Sequence, residues 1–410
     1  MKTYIFLTTD ITSLGGIQMY ISSKVKFLEQ DGWKVVILYS SYVNDICIVT
    51  SLNRFRNSMV QGINIPPFLW SKFEYNRILK RAMRCIGKEK GEVVIESHND
   101  SLALWGEIIA SKLKAKHIVV LLNELFRGKE KYYEDKLGFY YFKYSRGEIG
   151  GTQAAFSKLF EGHKPVSAPE KYVYLIDENP VQDVTCNVID GLIRKHWNIC
   201  YIGRPEKNYV PTIINEVVLF AKNHPDKSVQ FIMLGDKEKY IKLYNSIDQK
   251  PKNLSFKMVG TLIPIPKSLF AKVDVFIAGG GSARAVAYEN GLVIVPDSNN
   301  YLANGFLGYE VTNACHCEDG DIQRPISESL ERALVKRVQD SMEFYYPQDG
   351  VEACYKQNMD FIKNSIQNNI YYPEKKILRS SKKMSFSRKA AYYLSLTCPS
   401  LIKWIIHHKK

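Results

Sequence analysis

Three consecutive glycines, Gly279, Gly280 and Gly281, followed by Ser282, form the stretch of this chain best suited to chemistry. They interrupt the run VDVFIAGGGSARAVAYENGLVIVP, from Val273 to Pro296. Val273 to Ile277 is β-branched and aromatic, which predicts a strand buried on both faces. The glycines let the backbone turn sharply and put no side chain between main chain and ligand. Ser282 is placed to cap the helix that follows. Gly291 is expected to end that helix, with Leu292 to Val295 as the next strand. A strand, glycine turn and helix in this order aim free N–H groups and a positive dipole end at the carboxyl edge of a parallel sheet. That geometry suits a phosphate. It equally describes a tight turn with no ligand.

Other reactive residues also fall at predicted strand ends. Gly15-Gly16 follows the first strand, and a backbone that opens there makes room for a ligand. His98 closes the strand Glu92 to Ser97, where it can bond a substrate or a strand-end carbonyl. Asn123-Glu124 sits at the carboxyl end of His117 to Leu122, and Glu124 is chemically able to act as a base. Arg204 and Lys207 follow the strand Asn198 to Ile202, with Glu206 beside them. Cys315-His316-Cys317 puts two thiols one residue apart with no second ligand pair near, which matches no common zinc spacing.

The elements that position these residues alternate between strand and helix along the chain. Thr3 to Thr9, Lys34 to Tyr39, Glu92 to Ser97, His117 to Leu122, Glu148 to Thr152 and Tyr172 to Ile176 read as one set of strands. A second set comprises Asn198 to Ile202, Gln230 to Leu234, Ser255 to Val259, the strands around the glycine run, and Tyr309 to Thr312, followed by helices expected from about Pro325 to Met342 and Val351 to Gln367. Repeated βα units predict an α/β fold of two Rossmann-like, doubly wound domains facing across a cleft. The expected divisions are an N-terminal domain over 1–180, a linker over 181–196, a second domain over 197–345, closing helices over 346–374 and a tail over 375–410. The first turn lacks the three spaced glycines of a dinucleotide fingerprint.

The 410 residues include 56 Lys and Arg against 42 Asp and Glu, a net charge of +14. Ten of the cations, and no acid, lie between Lys375 and Lys410, so the remainder is close to neutral. That distribution argues against a nucleic-acid-binding body and for a tail that meets an anionic surface. In the tail, Trp404, Ile405 and Ile406 beside basic residues suit an interfacial helix on anionic lipid. No segment reaches the ~18–20 uncharged apolar residues that span a bilayer. The N-terminal apolar run is broken by Asp10 and reads as a strand rather than a signal peptide, and scattered cysteines suit a reducing cytosol.

Taken together, the Gly15-Gly16 turn, VVIESHND (Val93 to Asp100), IGRPEKN (Ile202 to Asn208), IMLGD (Ile232 to Asp236) and the glycine run resemble a GT-B-type glycosyltransferase, closest to family 4. The resemblance covers roughly Met1 to Asn368. It implies transfer of a sugar from a nucleotide-diphosphate sugar, held by the C-terminal domain, to an acceptor at the N-terminal domain. By that resemblance Arg204 and Lys207 neutralise the diphosphate, with Gly280, Gly281 and Ser282 beside it and no metal cofactor required. Gly15, Gly16 and Asn123 would line the cleft, and His98 matches the family's histidine. The family's two glutamates, with seven residues between them, fall here on Ala278 and Val286, and Glu289, one turn later, is the candidate replacement at the ribose. The expected setting is the cytoplasmic face of a membrane, with a lipid-linked polysaccharide as acceptor and no nucleic acid as partner. The loss of both glutamates also fits a catalytically inactive scaffold in glycan assembly. A polyol-phosphate transferase of the same fold is the third possibility.

Overall fold

The computed structural model describes residues 2–41, 46–88, 91–122, 133–151, 181–247, 250–318, 320–346, 351–365 and 369–379, with a few isolated positions besides. They form two compact units, one of residues 1–178 with 350–410, the other of 179–349. Among the described residues no helix is long and apolar enough to cross a membrane.

The first unit begins with β1 (Lys2–Asp10), α1 (Gly16–Gln30), β2 (Trp33–Ser41), α2 (Lys72–Ile86), β3 (Val93–Ser97), α3 (Asp100–Leu113), β4 (Lys116–Leu121), α4 (Tyr133–Ser145) and β5 (Ile149–Gly151). The strands make one parallel sheet in the order β2-β1-β3-β4-β5. All five residues of β3 are buried, as the apolar run requires of a strand covered on both faces. The helix ends are marked in the sequence. Ser71 accepts the Glu74 N–H at the start of α2, and Asn99 accepts the Leu102 N–H at the start of α3. Gly87, at φ 85°, turns the chain out of α2. The strand expected at Tyr172 to Ile176 lies outside the described residues.

The second unit contains β6 (Val181–Gln182), α5 (Asn187–Asp190), β7 (Trp197–Ile202), α6 (Val210–Asn223), β8 (Val229–Leu234), α7 (Lys237–Asn245), β9 (Leu254–Gly260), β10 (Ile265–Pro266), β11 (Val275–Ala278), α8 (Gly281–Tyr288), β12 (Val293–Pro296), β13 (Ala303–Phe306) and α9 (Ile326–Leu330). Its six-stranded sheet runs β13-β12-β11-β7-β8-β9, parallel except for β13. The chain then returns to the first unit as α10 (Val351–Asn364) and α11 (Glu374–Arg379).

Three expectations need correction. Residues 181–196 are not a bare linker: β6 pairs with β10, and Ile189 and Leu192, three residues apart, are buried in the second unit's core. The last strand among the described residues is Ala303–Phe306, not Tyr309 to Thr312, where Val311 makes an isolated bridge to Leu307 and the N–H groups of Tyr309, Glu310 and Val311 turn back to the Phe306 carbonyl. The helix expected from Pro325 to Met342 is α9 followed by a π turn and a 3-10 turn, separated at Arg337, whose φ is 50°.

A buried polar cluster ties α3, α4 and β4 together. Glu107 bonds His117 Nδ1 at 2.6 Å and Lys143 at 2.7 Å, while Lys143 also reaches Glu148 at 2.9 Å. The second Glu107 oxygen accepts the Tyr372 N–H at 2.7 Å, fastening the returning chain to α3. Burial, with the Lys143 charge, lowers His117 from 6.5 to about 4. Burial pushes Glu107 up, but Lys143 and His117 outweigh it and bring its carboxyl from 4.5 to about 2. Both groups therefore bind fewer protons folded than unfolded, so stability is fullest above pH 6.5 and falls as the medium is acidified. The thermal midpoint should decline from pH 6.5 toward 4 as His117 protonates, and further from 4.5 toward 2 through Glu107. In His117→Gln the first decline should be shallower; an unchanged profile would refute the assignment.

Candidate functional site

In an open parallel sheet, ligands bind where two neighbouring strands send their helices to opposite faces, leaving a crevice at the carboxyl edge. The order β13-β12-β11-β7-β8-β9 places that reversal between β7 and β11. These two strands are paired, Ala278 beside Ile202, so the segments that follow them leave the sheet side by side. They are Gly203-Arg204 and Gly279-Gly280-Gly281.

Around β7 the backbones are crowded. Gly235, at φ 150°, lies so close to Gly203 that a Cβ there would sit 2.4 Å from the Gly203 carbonyl oxygen. Tyr240 donates to that same oxygen at 2.8 Å. Arg204 emerges exposed from this support. Glu206, its acidic neighbour in sequence, pairs with Lys239 instead, and no carboxylate pairs with Arg204 among the described residues. Lys207 is exposed in the turn that leads to α6, its N–H donating to the Arg204 carbonyl at 3.3 Å.

The glycine turn is built differently from its expected form. Gly280, at φ 64°, is the N-cap of α8, which starts at Gly281; Ser282 is already inside the helix and is not its cap. The positive φ at Gly280 starts the helix two residues early and leaves the exposed Gly281 N–H and the Ser282 N–H without acceptors in the helix. The Gly280 N–H donates to Ala314 at 2.7 Å, which fixes the turn. A Cβ on Gly279 would lie 3.4 Å from the Tyr209 hydroxyl. Burial raises the Tyr209 hydroxyl, and the Arg204 charge acts on it in the opposite sense. Tyr209 thus stands beside the glycine turn. It was not foreseen, because a tyrosine opening a helix carries no sequence signal of its own.

Glu289 is not brought to this turn. It lies at the other end of α8, about 12 Å along the axis, and pairs with Lys267 at 3.2 Å. Ala278 and Val286 are fully buried core residues. In the Cys315-His316-Cys317 segment, the N–H groups of Cys315 and His316 donate to Asn313 Oδ1 at 2.9 and 3.1 Å.

The first unit has the same topological feature between β1 and β3. Gly15-Gly16 follows β1 and His98 follows β3, so both lie at that switch point. Gly15 is extended, with φ −174°, and caps α1 without a side chain. His98 is 2% exposed. Its Nε2 bonds Glu96 at 2.7 Å, and its Nδ1 is buried without a partner among the described residues. Asn123 and Glu124 lie outside the described residues.

Glu96 is the centre of a network that the sequence reading missed. Its other oxygen accepts from the Tyr4 hydroxyl at 2.5 Å and from Lys24 at 2.6 Å. Lys24 also donates to the Tyr20 hydroxyl at 3.1 Å and to Asn358 of α10. Burial works against the charge on Glu96, yet Lys24 and His98 hold its carboxyl well below the usual range. Burial pulls Lys24 down, with Glu96 in part opposing it. An ionised Glu96 makes His98 Nε2 the donor, so Nδ1 in the neutral ring is an acceptor. The available signal was Lys24 itself, a cation on the apolar stripe of α1 beside Tyr20, Ile21 and Leu28.

No protein-family model matches the chain, and no curated protein sequence matches it. Solved structures do. The chain superposes on Anabaena HepE in complex with UDP and glucose with a TM-score of 0.55, at 12% identity over 93% of this chain and 98% of that one. For HepE in complex with UDP-glucose the TM-score is 0.54, at the same identity and coverage. A Listeria monocytogenes protein assigned as a UDP-N-acetylglucosamine 2-epimerase gives 0.51, at 11% identity over 86% and 93%. At such identities the likeness is one of fold, and the fold is GT-B.

Removing one partner of a buried ion pair strands the other charge, so Lys24→Met should cost about 3–5 kcal/mol. Adding Glu96→Gln, which keeps an acceptor for Tyr4 but drops the charge, should recover part of that loss. Urea unfolding of the three proteins decides it. A single variant as stable as wild type would show that the pair is not formed.

Proposed function

We propose that the chain is a glycosyltransferase of family 4 type, moving a sugar from a nucleotide-diphosphate donor to a lipid-linked surface-glycan acceptor at the cytoplasmic face of a membrane. The observation that carries this reading is the pairing of β7 with β11 at the switch point, which sends Arg204 and the glycine turn out from adjacent strand ends. When the bond from the sugar carbon to the diphosphate oxygen breaks, negative charge grows on the leaving group. The Arg204 guanidinium, the N–H groups at Gly281 and Ser282, and the positive end of α8 oppose that charge from fixed positions. Lys207 adds a second cation. These groups stabilise a diphosphate without a metal ion. The neighbours' complexes with UDP and UDP-glucose support a uridine nucleotide among the candidate donors. His98, through Nδ1, is suited to accept a hydrogen bond from a substrate hydroxyl.

A second reading, a GT-B protein that binds nucleotide but has lost transfer, is favoured by Ala278 and Val286, which leave no carboxylate at either position and bury both side chains. Titration calorimetry and a transfer assay separate the two. Wild type should bind UDP or GDP, and Arg204→Ala should bind roughly tenfold to hundredfold more weakly, the loss expected for a charged hydrogen bond. A transferase should also release nucleotide slowly from one member of a donor panel that includes CDP-linked donors. Binding with no turnover across the panel would favour the scaffold, and no binding to any nucleoside diphosphate would remove both readings.

A further inference from the structure

Tyr201, Tyr209 and Tyr240 are buried tyrosines gathered at the carboxyl end of β7, the rings of Tyr201 and Tyr240 edge to face at 6.2 Å. Their hydroxyls are spent differently. Tyr240 donates to the Gly203 carbonyl at 2.8 Å. Tyr201 is hydrogen-bonded to Tyr209, and its 3.5 Å approach to the Arg204 carbonyl is at the outer limit of such a bond. Burial raises both of these hydroxyls, Tyr201 the more. The bond between them raises Tyr201 further and lowers Tyr209, which makes Tyr201 the donor and Tyr209 the acceptor.

A phenol has one proton to give. With Tyr201 donating to it, Tyr209 keeps its own for another acceptor. No carbonyl or carboxylate among the described residues takes that proton: besides Tyr201, the groups acting on the Tyr209 hydroxyl are Cys315 and Arg204.

The fold decides where this proton points. Tyr209 opens α6, and its ring is buried with Tyr201, Val210 and Ile213 in the second unit's core. In the β7/β11 pair, Tyr201 lies beside Ile277 and Ile202 beside Ala278. A ring anchored after β7 therefore reaches the first residue after β11, where the hydroxyl stands 3.4 Å from the Cβ that Gly279 lacks. Two residues further on are the Gly281 and Ser282 N–H groups, with no acceptors in the helix.

We propose that the Tyr209 hydroxyl is a further binding residue for the donor, giving a hydrogen bond to a phosphate oxygen held at the glycine turn. This rests on the reading of the crevice given above and adds an uncharged donor to its cations and amides. Tyr201 stands behind it, since in a chain of hydrogen bonds each polarises the next. Burial keeps the group a phenol at neutral pH, so it donates and does not act as a base.

Titration calorimetry of the full chain tests this, with UDP or GDP, whichever wild type binds, and with the matching nucleoside in competition. Tyr209→Phe keeps the ring in the core and removes only the hydroxyl. It should bind the diphosphate about threefold to tenfold more weakly, the loss expected of an uncharged hydrogen bond, and the nucleoside as wild type does. Tyr201→Phe should fall between this variant and wild type. Wild-type affinity for the diphosphate in Tyr209→Phe, or an equal loss for the nucleoside, which would put the hydroxyl at the base, overturns the proposal. Arg204→Ala measured alongside separates the two claims. If it weakens the diphosphate and Tyr209→Phe does not, the hydroxyl's role fails alone; if neither does, or no diphosphate binds, the crevice reading fails too. Weakening by Tyr209→Phe with no turnover of any donor would sink the transferase and leave the binding residue standing.

Discussion

A parallel sheet whose strand order reverses must leave a crevice at its carboxyl edge, because the flanking helices depart to opposite faces. In this chain both sheets reverse beside a first strand, at β1/β3 and at β7/β11. Every reactive residue singled out in the described sequence, apart from Glu289 and the Cys-His-Cys run, emerges at one of these two places. Sheet order thereby does what no local motif does here. It brings Arg204 and the glycine turn, some 75 positions apart in the chain, to adjacent strand ends within one unit.

The two switch points are furnished in different ways. The one at β7/β11 is lined by main chain and two exposed cations, Arg204 and Lys207, with close backbone contacts at Gly203 and Gly235 underneath. Such a site is rigid and nearly free of competing acids, because Glu206 is occupied by Lys239. The one at β1/β3 stands over a buried ion pair. A lysine and a glutamate taken wholly out of water need excellent geometry to offset desolvation. Lys24 and Glu96 have it through Tyr4, Tyr20, Asn358 and His98. Asn358 belongs to the returning helix α10, so completion of this network depends on the chain crossing back to the first unit. One consequence of the network is that it orients the His98 ring through Nε2 and leaves Nδ1 buried without a partner among the described residues.

The alternation of strands and helices was legible in the sequence, because apolar runs bounded by Ser, Asn and Gly mark elements buried on one or both faces. Most strands fall within one or two residues of their expected bounds. What was illegible is instructive. Ser282 looked like a cap because caps are recognised by side chain, whereas Gly280 takes that position by a backbone angle available chiefly to glycine. Residues 181–196 looked like a linker because Val181, Ile189 and Leu192 are too sparse to show a period, although tertiary packing buries all three. Lys24–Glu96 could not be paired by spacing, as the two residues are 72 positions apart.

The account stands or falls on where a nucleoside diphosphate binds. A crystal structure of the full chain with UDP or GDP would show it. The diphosphate should rest against the main-chain N–H groups at Gly281 and Ser282, at the start of α8, with the Arg204 guanidinium within hydrogen-bond distance. A nucleotide bound away from the β7/β11 crevice, with Arg204 and those amides still facing solvent, would contradict it.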